Sequence, residues 1–425
     1  MQTYHENAKE LPIAGEYDVI VAGSGPAGTA AAVMAGRMGA KVLIIEWNNA
    51  IGGISTSGMM SHWTGSVTSP MYTEILQRSA DMNEGEQKGK IQQYINPENL
   101  KSVYLDMLKD ANVDVLLYTF VCGVVMEGDQ LTGVITESKS GRRVFRSKVV
   151  VDGTGDGDVA AFAGVEYHKG RESDGKMQPT TLMFKVAGVD MSRAVLLGSF
   201  ESTYQTEKGE LQALAKEHIP YPAGHLLAYK STLPGIVTCN MTNCTDIDGT
   251  KAEDLTRAEI VCRSQMPAIV KYLREFVPGF ENCYIISAAS LMGVRETRHF
   301  KGVYTLNEND ILTAKVFDDW VVRGAHFNFD VHNMTGSGLD ATGVQKKWAQ
   351  PKGYTIPYGC LVPEKINGLL LSGRNISGTH IAHSNYRVMP ICVGIGAAAG
   401  AAAATAIKKG VQVRDIKGEE LQDRL

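Results

Sequence analysis

The stretch Tyr17–Glu46, YDVIVAGSGPAGTAAAVMAGRMGAKVLIIE, decides the fold. A run of apolar residues leads into the turn Gly23–Gly28, and an alanine-rich segment then extends to about Gly39. A second apolar run, Lys41–Ile45, follows it. This order predicts a βαβ unit, and the three glycines of the turn have the G-x-G-x-x-G spacing that binds the pyrophosphate of a dinucleotide.

Each residue type in the turn has a mechanical role. The first glycine permits a tight turn, the second lets backbone amides approach a pyrophosphate, and the third lets the helix pack closely on the strand. The helix N-terminus adds unpaired N–H groups and the positive end of its dipole. The acid that ends the second strand is placed to accept hydrogen bonds from a ribose. The candidate nucleotide contacts of this unit are Gly23, Ser24, Gly25, Pro26, Ala27, Gly28 and Glu46.

Later segments extend the pattern. Gly52-Gly53 follows the acid closely, and Val149–Asp158, VVVDGTGDGD, has the form of a strand that ends in a Thr-Gly-Asp turn. Near the C-terminus, Gly368–Arg374 precedes Arg387–Pro390 and a helix of small residues. Over nearly its whole length the chain resembles the FAD-dependent oxidoreductases that are distantly related to fumarate reductase flavoproteins. This resemblance implies FAD as cofactor and adds as contacts Gly52, Gly53, Ser55, Val121, Gly153, Thr154, Gly155, Gly373, Arg374, Val388 and Met389.

The fold predicted in this way is α/β. A Rossmann-like, three-layer FAD-binding domain with a parallel sheet is expected to carry an inserted α+β substrate domain. The predicted boundaries are 16–165 for the first part of the FAD-binding domain, 166–350 for the substrate domain and 351–425 for the C-terminal part. Within the insertion, strands are predicted at Thr181–Val186 and Gly235–Thr238, and helices at Thr203–Glu217 and Glu253–Phe276.

Composition limits the classes of function. The chain has 425 residues, of which 44% are hydrophobic, so a sizeable core is expected. A net charge of -4 gives no support for a nucleic-acid or membrane-surface partner. The N-terminus lacks the pattern of a signal peptide. The segment Val388–Ile407 is too rich in glycine and alanine to predict a membrane span. The seven cysteines are scattered along the sequence, which argues against a disulfide framework. We expect a cytoplasmic protein with a small-molecule substrate and an unidentified electron donor or acceptor, and a homo-oligomer is kept as an open expectation.

Histidines supply the first candidates for catalysis. By the resemblance, the loop 54–66 lies near the flavin ring, so His62 is a candidate base, substrate ligand or flavin contact; a histidine hydrogen-bonded in a turn is the alternative. His380 and His383 lie shortly before Arg387. Fumarate-reductase-like flavoproteins use a His four residues before an Arg to grip a substrate carboxylate, which is the spacing of His383 and Arg387. Tyr386 departs from that pattern, because those enzymes have Asn there.

Two other polar segments offer side chains. Arg295 and Arg298 either orient a substrate or form salt bridges with Glu296 and its neighbours. In the second segment, strand alternation would place four polar residues on one face, namely His326, Asn328, Asp330 and His332.

No metal site is predicted. The pair formed by Asp330 and His332 lacks an identifiable third ligand. Asp156 and Asp158 could also suggest a metal, but they fit a turn and a helix cap better.

Together these features predict a hydride transfer between flavin N5 and a carbon of a small oxygen-rich substrate, a hydroxy acid or a sugar-like polyol. His62, His380 or His383 would exchange the proton, and Arg387 with Arg295 or Arg298 would orient the substrate. The alternatives are a fumarate-like reduction of an activated C=C bond and a flavin-binding sensor or scaffold without turnover. A second Rossmann motif is absent from the sequence, so no NAD(P)H domain is predicted.

Overall fold

The computed structural model of the chain describes residues 2–340, 344, 350 and 353–425. The N-terminal part begins with the predicted βαβ unit and continues through two longer helices into an antiparallel meander. Its elements are β1 (Ile13–Ala22), α1 (Pro26–Arg37), β2 (Val42–Ile45), β3 (Ser66–Thr68), α2 (Pro70–Asp81), α3 (Pro97–Asp110), β4 (Asp114–Leu116), β5 (Phe120–Glu127), β6 (Gln130–Glu137), β7 (Arg143–Asp152) and α4 (Asp158–Phe162).

The remaining elements form a middle part of short strands and one long helix, and a C-terminal part that returns to the first sheet. The middle part contains β8 (Tyr167–Lys169), β9 (Phe184–Ala187), β10 (Gln205–Thr206), β11 (Gly209–Glu210), α5 (Leu211–His218), β12 (Ala228–Lys230), β13 (Val237–Cys239), α6 (Ala252–Phe276), β14 (Tyr284–Ala288), β15 (Arg298–Phe300), α7 (Glu308–Leu312) and β16 (Trp320–His326). The C-terminal part contains β17 (Tyr354–Pro357), β18 (Leu369–Leu371), α8 (His380–Tyr386) and α9 (Met389–Lys409). Short 3-10 helices lie at Gly53–Ser55, Gly85–Gln87, Tyr358–Cys360, Val413–Asp415, Gly418–Glu420 and Gln422–Arg424.

The main sheet has seven strands, and its central part is parallel. β1 lies between β2 and β7, β4 extends the sheet beyond β2, and β18 pairs with the C-terminal end of β7, all in parallel. β5 and β6 add an antiparallel extension to the N-terminal end of β7. The inner strand β1 is fully buried from Val19 to Ala22, as the continuous apolar run requires in a sheet covered on both faces. The predicted α/β fold on a parallel sheet is confirmed.

Helices α1 and α9 pack with their backbones in close approach. A Cβ atom added at Gly396 would lie 2.0 Å from the carbonyl oxygen of Ala27, and one at Gly400 would lie 2.2 Å from that of Ala31. Only glycine fits at these two positions, which explains the small-residue composition of α9. By length and composition α9 could also cross a membrane, but 89% of its most apolar window is buried inside the protein.

The apolar core of the middle part is separate from that of the main sheet. Its buried side chains run from Leu182 to Ala289 and fill the space between the antiparallel sheet β12-β13-β9-β14 and the helices α5 and α6. Side chains from Phe300 to Phe329 belong instead to the core of the main sheet. The sequence boundaries 16–165, 166–350 and 351–425 stay predictions.

Two local predictions are wrong. The helix predicted from Thr203 begins only at Leu211, because two-residue strands form a hairpin first and the Glu210 side chain then caps the helix by accepting from backbone N–H groups. The strand β16 ends at His326, and the residues that follow are irregular. Strand alternation therefore does not place Asn328, Asp330 and His332.

Candidate active site

The glycine turn leaves open space at one position only. Gly25 precedes the first residue of α1, and a Cβ atom added to it would meet nothing within 4 Å. A Cβ atom at Gly28 would lie 2.0 Å from the Gly23 carbonyl oxygen, and one at Gly23 would lie 2.5 Å from that of Gly153. Among the described residues no side chain caps α1, so its first N–H groups face this space. The turn fits the pyrophosphate of a dinucleotide.

Glu46 fixes the turn from the end of β2. Its carboxylate accepts hydrogen bonds from the Ser24 amide at 2.9 Å, the Ser24 hydroxyl at 2.6 Å and the Asn48 amide at 2.9 Å. The residue is only 5% exposed. An ionised carboxylate accepts about four hydrogen bonds, so capacity is left for a ribose hydroxyl. That role stays a prediction.

Other predicted cofactor residues come together around the same turn. The Gly52 amide donates to the Ser24 carbonyl oxygen at 2.8 Å, and a Cβ atom at Gly53 would lie 3.1 Å from the Gly25 Cα. A Cβ atom at Gly373 would lie 3.0 Å from the Ala27 Cβ. We call the residues Gly23–Gly28, Glu46, Gly52, Gly53, Gly153 and Gly373 the glycine cradle.

The remaining predicted cofactor residues lie at the edges of the glycine cradle. The Ser55 hydroxyl donates to the Gly52 carbonyl oxygen at 2.6 Å, and Gly155 lies against the Arg374 side chain. Val121 is buried on β5, two residues after Thr119, whose amide donates to the Glu46 carbonyl oxygen. Val388 and Met389 start α9, which has no side-chain cap among the described residues. Its free N–H groups suit a second negative charge.

The Thr-Gly-Asp turn corrects the cap prediction. The N-cap position of α4 is Gly157, and the amide of Ala160 is instead satisfied by Asp152 at 2.8 Å. Asp152 also accepts from the Thr154 hydroxyl at 2.7 Å, and burial raises its pKa to about 6. Asp156 and Asp158 are engaged elsewhere, in ion pairs with Arg374 at 2.6 Å and with Arg298 at 2.8 Å respectively.

A second group of side chains surrounds Arg387. We call Arg295, Asp330, His332 and Arg387 the arginine cluster. Arg387 donates to the Asp330 carboxylate at 3.1 Å, to the Asp330 carbonyl oxygen at 2.9 Å and to the Gln178 side-chain oxygen at 3.4 Å. His332 Nε2 lies 3.2 Å from the same carboxylate. Arg295 donates to the Pro179 carbonyl oxygen at 2.6 Å and to the Thr181 hydroxyl at 2.9 Å.

The arginine cluster carries excess positive charge. Burial and the neighbouring Arg387 lower the pKa of Arg295 to about 10, which leaves its guanidinium charged at neutral pH. Burial and Arg295 lower the pKa of His332 to about 4, which leaves that ring neutral. Burial alone would raise the pKa of Asp330, but His332 and the two guanidinium groups hold it below its ordinary value. The cluster thus holds two guanidinium groups and one carboxylate, which pairs with Arg387, and an anion would balance the charge of Arg295.

Buried polar atoms without partners lie in and beside this cluster. Within the described part of the chain, Gln178 Nε2, Arg387 Nε and His225 Nδ1 have no hydrogen-bond partner. The rings of His225 and His332 both contact Phe200 edge-on, with centroids at 5.0 and 5.2 Å. Since buried polar groups are nearly always hydrogen-bonded, unsatisfied polar atoms next to two arginines suit a polar ligand.

A third group lies at the start of α8. We call Glu296, His299, His380 and His383 the histidine cluster; each is at most 3% exposed. Glu296 Oε1 lies 2.8 Å from His299 Nε2 and 2.6 Å from His380 Nδ1, and Glu296 Oε2 accepts from the Gln178 amide at 3.0 Å. Gln178 thus connects the two clusters, since its side chain contacts Arg387.

The structure separates the predicted catalytic residues into three places. His380 and His383 lie in the histidine cluster, and Arg295 and Arg387 lie in the arginine cluster. His62 belongs to neither; its ring stacks on Tyr229 with centroids 4.8 Å apart, and burial lowers its pKa. Arg298 follows the salt-bridge alternative, with Asp158 as its partner.

Sequence reasoning did not identify Gln178 or His225 as site residues. Neither lies in a recognisable motif, so no sequence signal could have found them. For the histidine cluster a signal existed, since Glu296 and His299 have E-x-x-H spacing and His380 and His383 have H-x-x-H spacing.

A known protein family matches nearly the whole chain. The family model described as FAD dependent oxidoreductase matches residues 18–425. A curated relative, digeranylgeranylglycerophospholipid reductase 1 of Methanococcoides burtonii, is 25% identical over 198 residues, which cover 42% of this chain and 47% of that protein. The match thus spans just under half the length of that relative.

Solved structures resemble the fold more distantly. A geranylgeranyl bacteriochlorophyll reductase-like protein from Thermoplasma acidophilum has 14% identity and a TM-score of 0.47, covering 96% of this chain and 79% of that one. A p-nitrophenol 4-monooxygenase from Pseudomonas putida has 14% identity and a TM-score of 0.42, covering 68% and 70%. At such TM-scores the likenesses indicate no substrate.

Proposed function

The chain belongs to the family of FAD-dependent oxidoreductases, and we propose that it transfers a hydride between flavin N5 and a carbon of a small hydroxy acid. When bound, FAD supplies the redox chemistry, because its ring takes or gives the hydride. The observation that carries the choice of substrate is the arginine cluster, in which Asp330 pairs with Arg387 while the buried Arg295 donates only to neutral oxygens.

The cofactor would be held mainly by backbone groups. The N–H groups at Gly25 and the start of α1 would bind the pyrophosphate, and Glu46 would accept from a ribose hydroxyl. The uncapped N-terminus of α9, at Val388 and Met389, would stabilise negative charge on the reduced ring.

The substrate carboxylate would bind to Arg387 and Arg295. Hydrogen bonds between a guanidinium and a carboxylate are charge-assisted and strong, and the added anion would balance the second cation. Asp330 would hold the Arg387 guanidinium in place through its hydrogen bond at 3.1 Å. A neutral polyol would leave the excess charge uncompensated, so the cluster favours a hydroxy acid over a polyol.

Oxidation of a hydroxyl carbon also requires a proton acceptor. The sequence offers His62, His380 and His383 for this role. Burial lowers the pKa of His62, and it lowers that of His383 well below its ordinary value. Both rings are therefore neutral at neutral pH, as a base must be, but the lowered pKa makes each a weak proton acceptor.

A second candidate is the reverse flow of electrons, from FAD to the C=C bond of an unsaturated acid. It is supported by the reductase name of the curated relative, although the match spans under half of that protein. The same arginines would bind the carboxylate of such a substrate. An apolar isoprenoid chain would fit the arginine cluster poorly, because it brings no anion to balance the charge of Arg295.

Anaerobic mixing of the oxidised holoenzyme with α-hydroxy acids tests the proposal. Flavin absorbance should bleach with one or more acids, and should persist with the amide of the same acid, which keeps the hydroxyl and loses the charge. Equal bleaching by amides or by neutral polyols would contradict the proposal. Reoxidation of the dithionite-reduced enzyme by unsaturated acids, without any bleaching by hydroxy acids, would favour the second candidate. No redox response to either class would favour a sensor.

A further inference from the structure

Glu296 is a buried carboxylate surrounded by donors. It is 1% exposed. Its oxygens lie 3.0 Å from the backbone nitrogen of Gln178, 2.8 Å from His299 Nε2 and 2.6 Å from His380 Nδ1. Burial alone would raise its pKa, but the hydrogen bonds from His299 and His380 hold the pKa well below its ordinary value. Glu296 is therefore ionised at neutral pH, and a buried ion of this kind requires a cation beside it.

His299 lies beside this carboxylate and a second acceptor. Its Nδ1 lies 3.1 Å from the Gly378 carbonyl oxygen, and its Nε2 lies 2.8 Å from Glu296 Oε1. A carbonyl oxygen and an ionised carboxylate can only accept, so each ring nitrogen must carry a proton. Both nitrogens of His299 thus face acceptors, one of them the Glu296 carboxylate.

His380 contacts the same carboxylate through one ring nitrogen only. The short contact of 2.6 Å to Glu296 Oε1 assigns its proton to Nδ1. Its Nε2 is then a lone pair, and this atom is buried without a hydrogen-bond partner among the described residues. A carboxylate that holds Nδ1–H and leaves Nε2 free is the arrangement in which a histidine acts as general base, because the carboxylate stabilises the imidazolium that forms.

His380 and the proposed carboxylate-binding residue lie at the two ends of α8. His380 and His383 are three residues apart on the helix, and Arg387 follows four residues later as its C-cap, roughly 10 Å along the axis from His380. The charged and titratable groups around His380 are Glu296, His299, His383 and Glu172, whose carboxylate accepts from the His380 backbone amide at 3.0 Å.

We propose that His380 Nε2 is the atom that takes the substrate hydroxyl proton, and that Glu296 and His299 are positioning residues that fix its tautomer. This inference deepens the proposed oxidation of a hydroxy acid and rests on it. In the step, the O–H bond breaks and its proton goes to His380 Nε2, while the carbon–hydrogen bond breaks and its electron pair leaves with the hydrogen to FAD. The C=O bond forms, so the alcohol is oxidised and the cofactor is reduced by two electrons.

The direct test is the protonation state of each ring nitrogen in the oxidised holoenzyme, read by NMR after selective 15N labelling of histidine. Signals are assigned from those lost in His380→Asn and His299→Asn. At neutral pH we expect His380 with a protonated Nδ1 and an unprotonated Nε2, and His299 with both nitrogens protonated. This readout needs no substrate, so it stays informative if the proposed function fails.

The opposite tautomer of His380 would overturn the inference. One route to that outcome is a bound metal ion, since ligand atoms of Glu296, His299 and His380 all lie within 4.8 Å of one another. A metal on His380 Nδ1 would displace its proton and leave the proton on Nε2. Metal analysis of the same NMR sample separates this case from a metal-free cluster.

Kinetics of Glu296→Gln then separate positioning from a structural role. We expect kcat to fall by about 10²–10⁴-fold, the range of general-base catalysis. The acidic limb of the kcat/KM profile should move to lower pH, because the His380 imidazolium loses its carboxylate partner. Glu172→Gln is the matched control, since its carboxylate contacts the His380 backbone amide and the His168 ring but forms no hydrogen bond to the His380 ring, so its profile should shift much less than that of Glu296→Gln. An unshifted profile in folded Glu296→Gln would refute the positioning role.

Discussion

The glycine cradle and the arginine cluster are built in opposite ways. The cradle consists of backbone, and its glycines matter because they carry no side chain; a Cβ atom at Gly28 would lie 2.0 Å from a carbonyl oxygen. The arginine cluster consists of side chains brought from distant segments, and its partners Asp330 and Arg387 are 57 positions apart in the sequence. A side chain added at a closely packed glycine should therefore disrupt the cradle. The arginine cluster should instead be disrupted when one of its side chains is shortened or loses its charge.

The largest expected effect is a failure of the packing behind the cradle. In Gly396→Ala the new Cβ atom would lie 2.0 Å from the Ala27 carbonyl oxygen, so α9 must move away from α1. We expect the free energy of unfolding, measured in urea, to fall by about 3 kcal/mol, the upper end for overpacking.

Gly198→Ala is the matched control for that substitution. A Cβ atom at this glycine meets nothing within 4 Å, so its stability should match that of the wild type. Equal stability of the Gly396→Ala and Gly198→Ala variants would show that the helices do not approach as described.

The next effect belongs to the arginine cluster and is expected in substrate binding. Arg387→Met removes a charge-assisted contact to the proposed substrate carboxylate, so KM should rise by about 10²-fold. Steady-state kinetics with a hydroxy acid that bleaches the flavin measures this change.

Arg298→Met provides the comparison, because Arg298 is also a partly buried arginine paired with an aspartate, Asp158 at 2.8 Å. It should lose stability without a comparable rise in KM. A similar KM in both variants would remove Arg387 from the substrate site.

The smallest expected effect is a pH dependence of stability that arises from His332 in the arginine cluster. The pKa of His332 is lowered from 6.5 to about 4 by burial, whereas the unfolded chain binds its proton near pH 6.5. Between these values the unfolded state holds more protons, so stability falls as pH falls. From pH 7 to pH 5 the contribution of His332 amounts to about 2 kcal/mol.

Urea unfolding of the wild type and of His332→Asn at both pH values measures that contribution. The variant should lose less stability on acidification than the wild type does. Identical losses would mean that the His332 ring is not held neutral by its surroundings.

The contrast between the glycine cradle and the arginine cluster also explains which parts of the structure could be predicted from the sequence. The cradle is encoded within one short stretch, and each glycine has a local backbone reason, so the βαβ unit and the parallel sheet followed from the printed residues. Glu46 could be placed for the same reason, because it ends the strand next to the turn.

The clusters depend on tertiary contacts that no local pattern encodes. Gln178 contacts the histidine cluster through its backbone N–H and the arginine cluster through its side-chain oxygen, yet it lies in no recognisable motif. The alternation expected after His326 was wrong because β16 ends there, and the chain then brings Asp330 to Arg387 by an irregular path. His380 and Arg387 could be identified from the sequence as candidate site residues only because they precede a recognisable helix.

Titration of the FAD-free protein with FAD tests the central claim most directly, with wild type, Gly25→Ala and Gly198→Ala compared. A Cβ atom at Gly25 meets no protein atom within 4 Å, so the FAD-free variant should keep wild-type stability. The same Cβ would occupy the space assigned to the pyrophosphate, and we expect FAD affinity to fall by about 10²-fold or more, as for lost contacts to a charged group. Gly198→Ala should bind like the wild type. Undiminished FAD binding by Gly25→Ala would contradict the assignment of the glycine cradle.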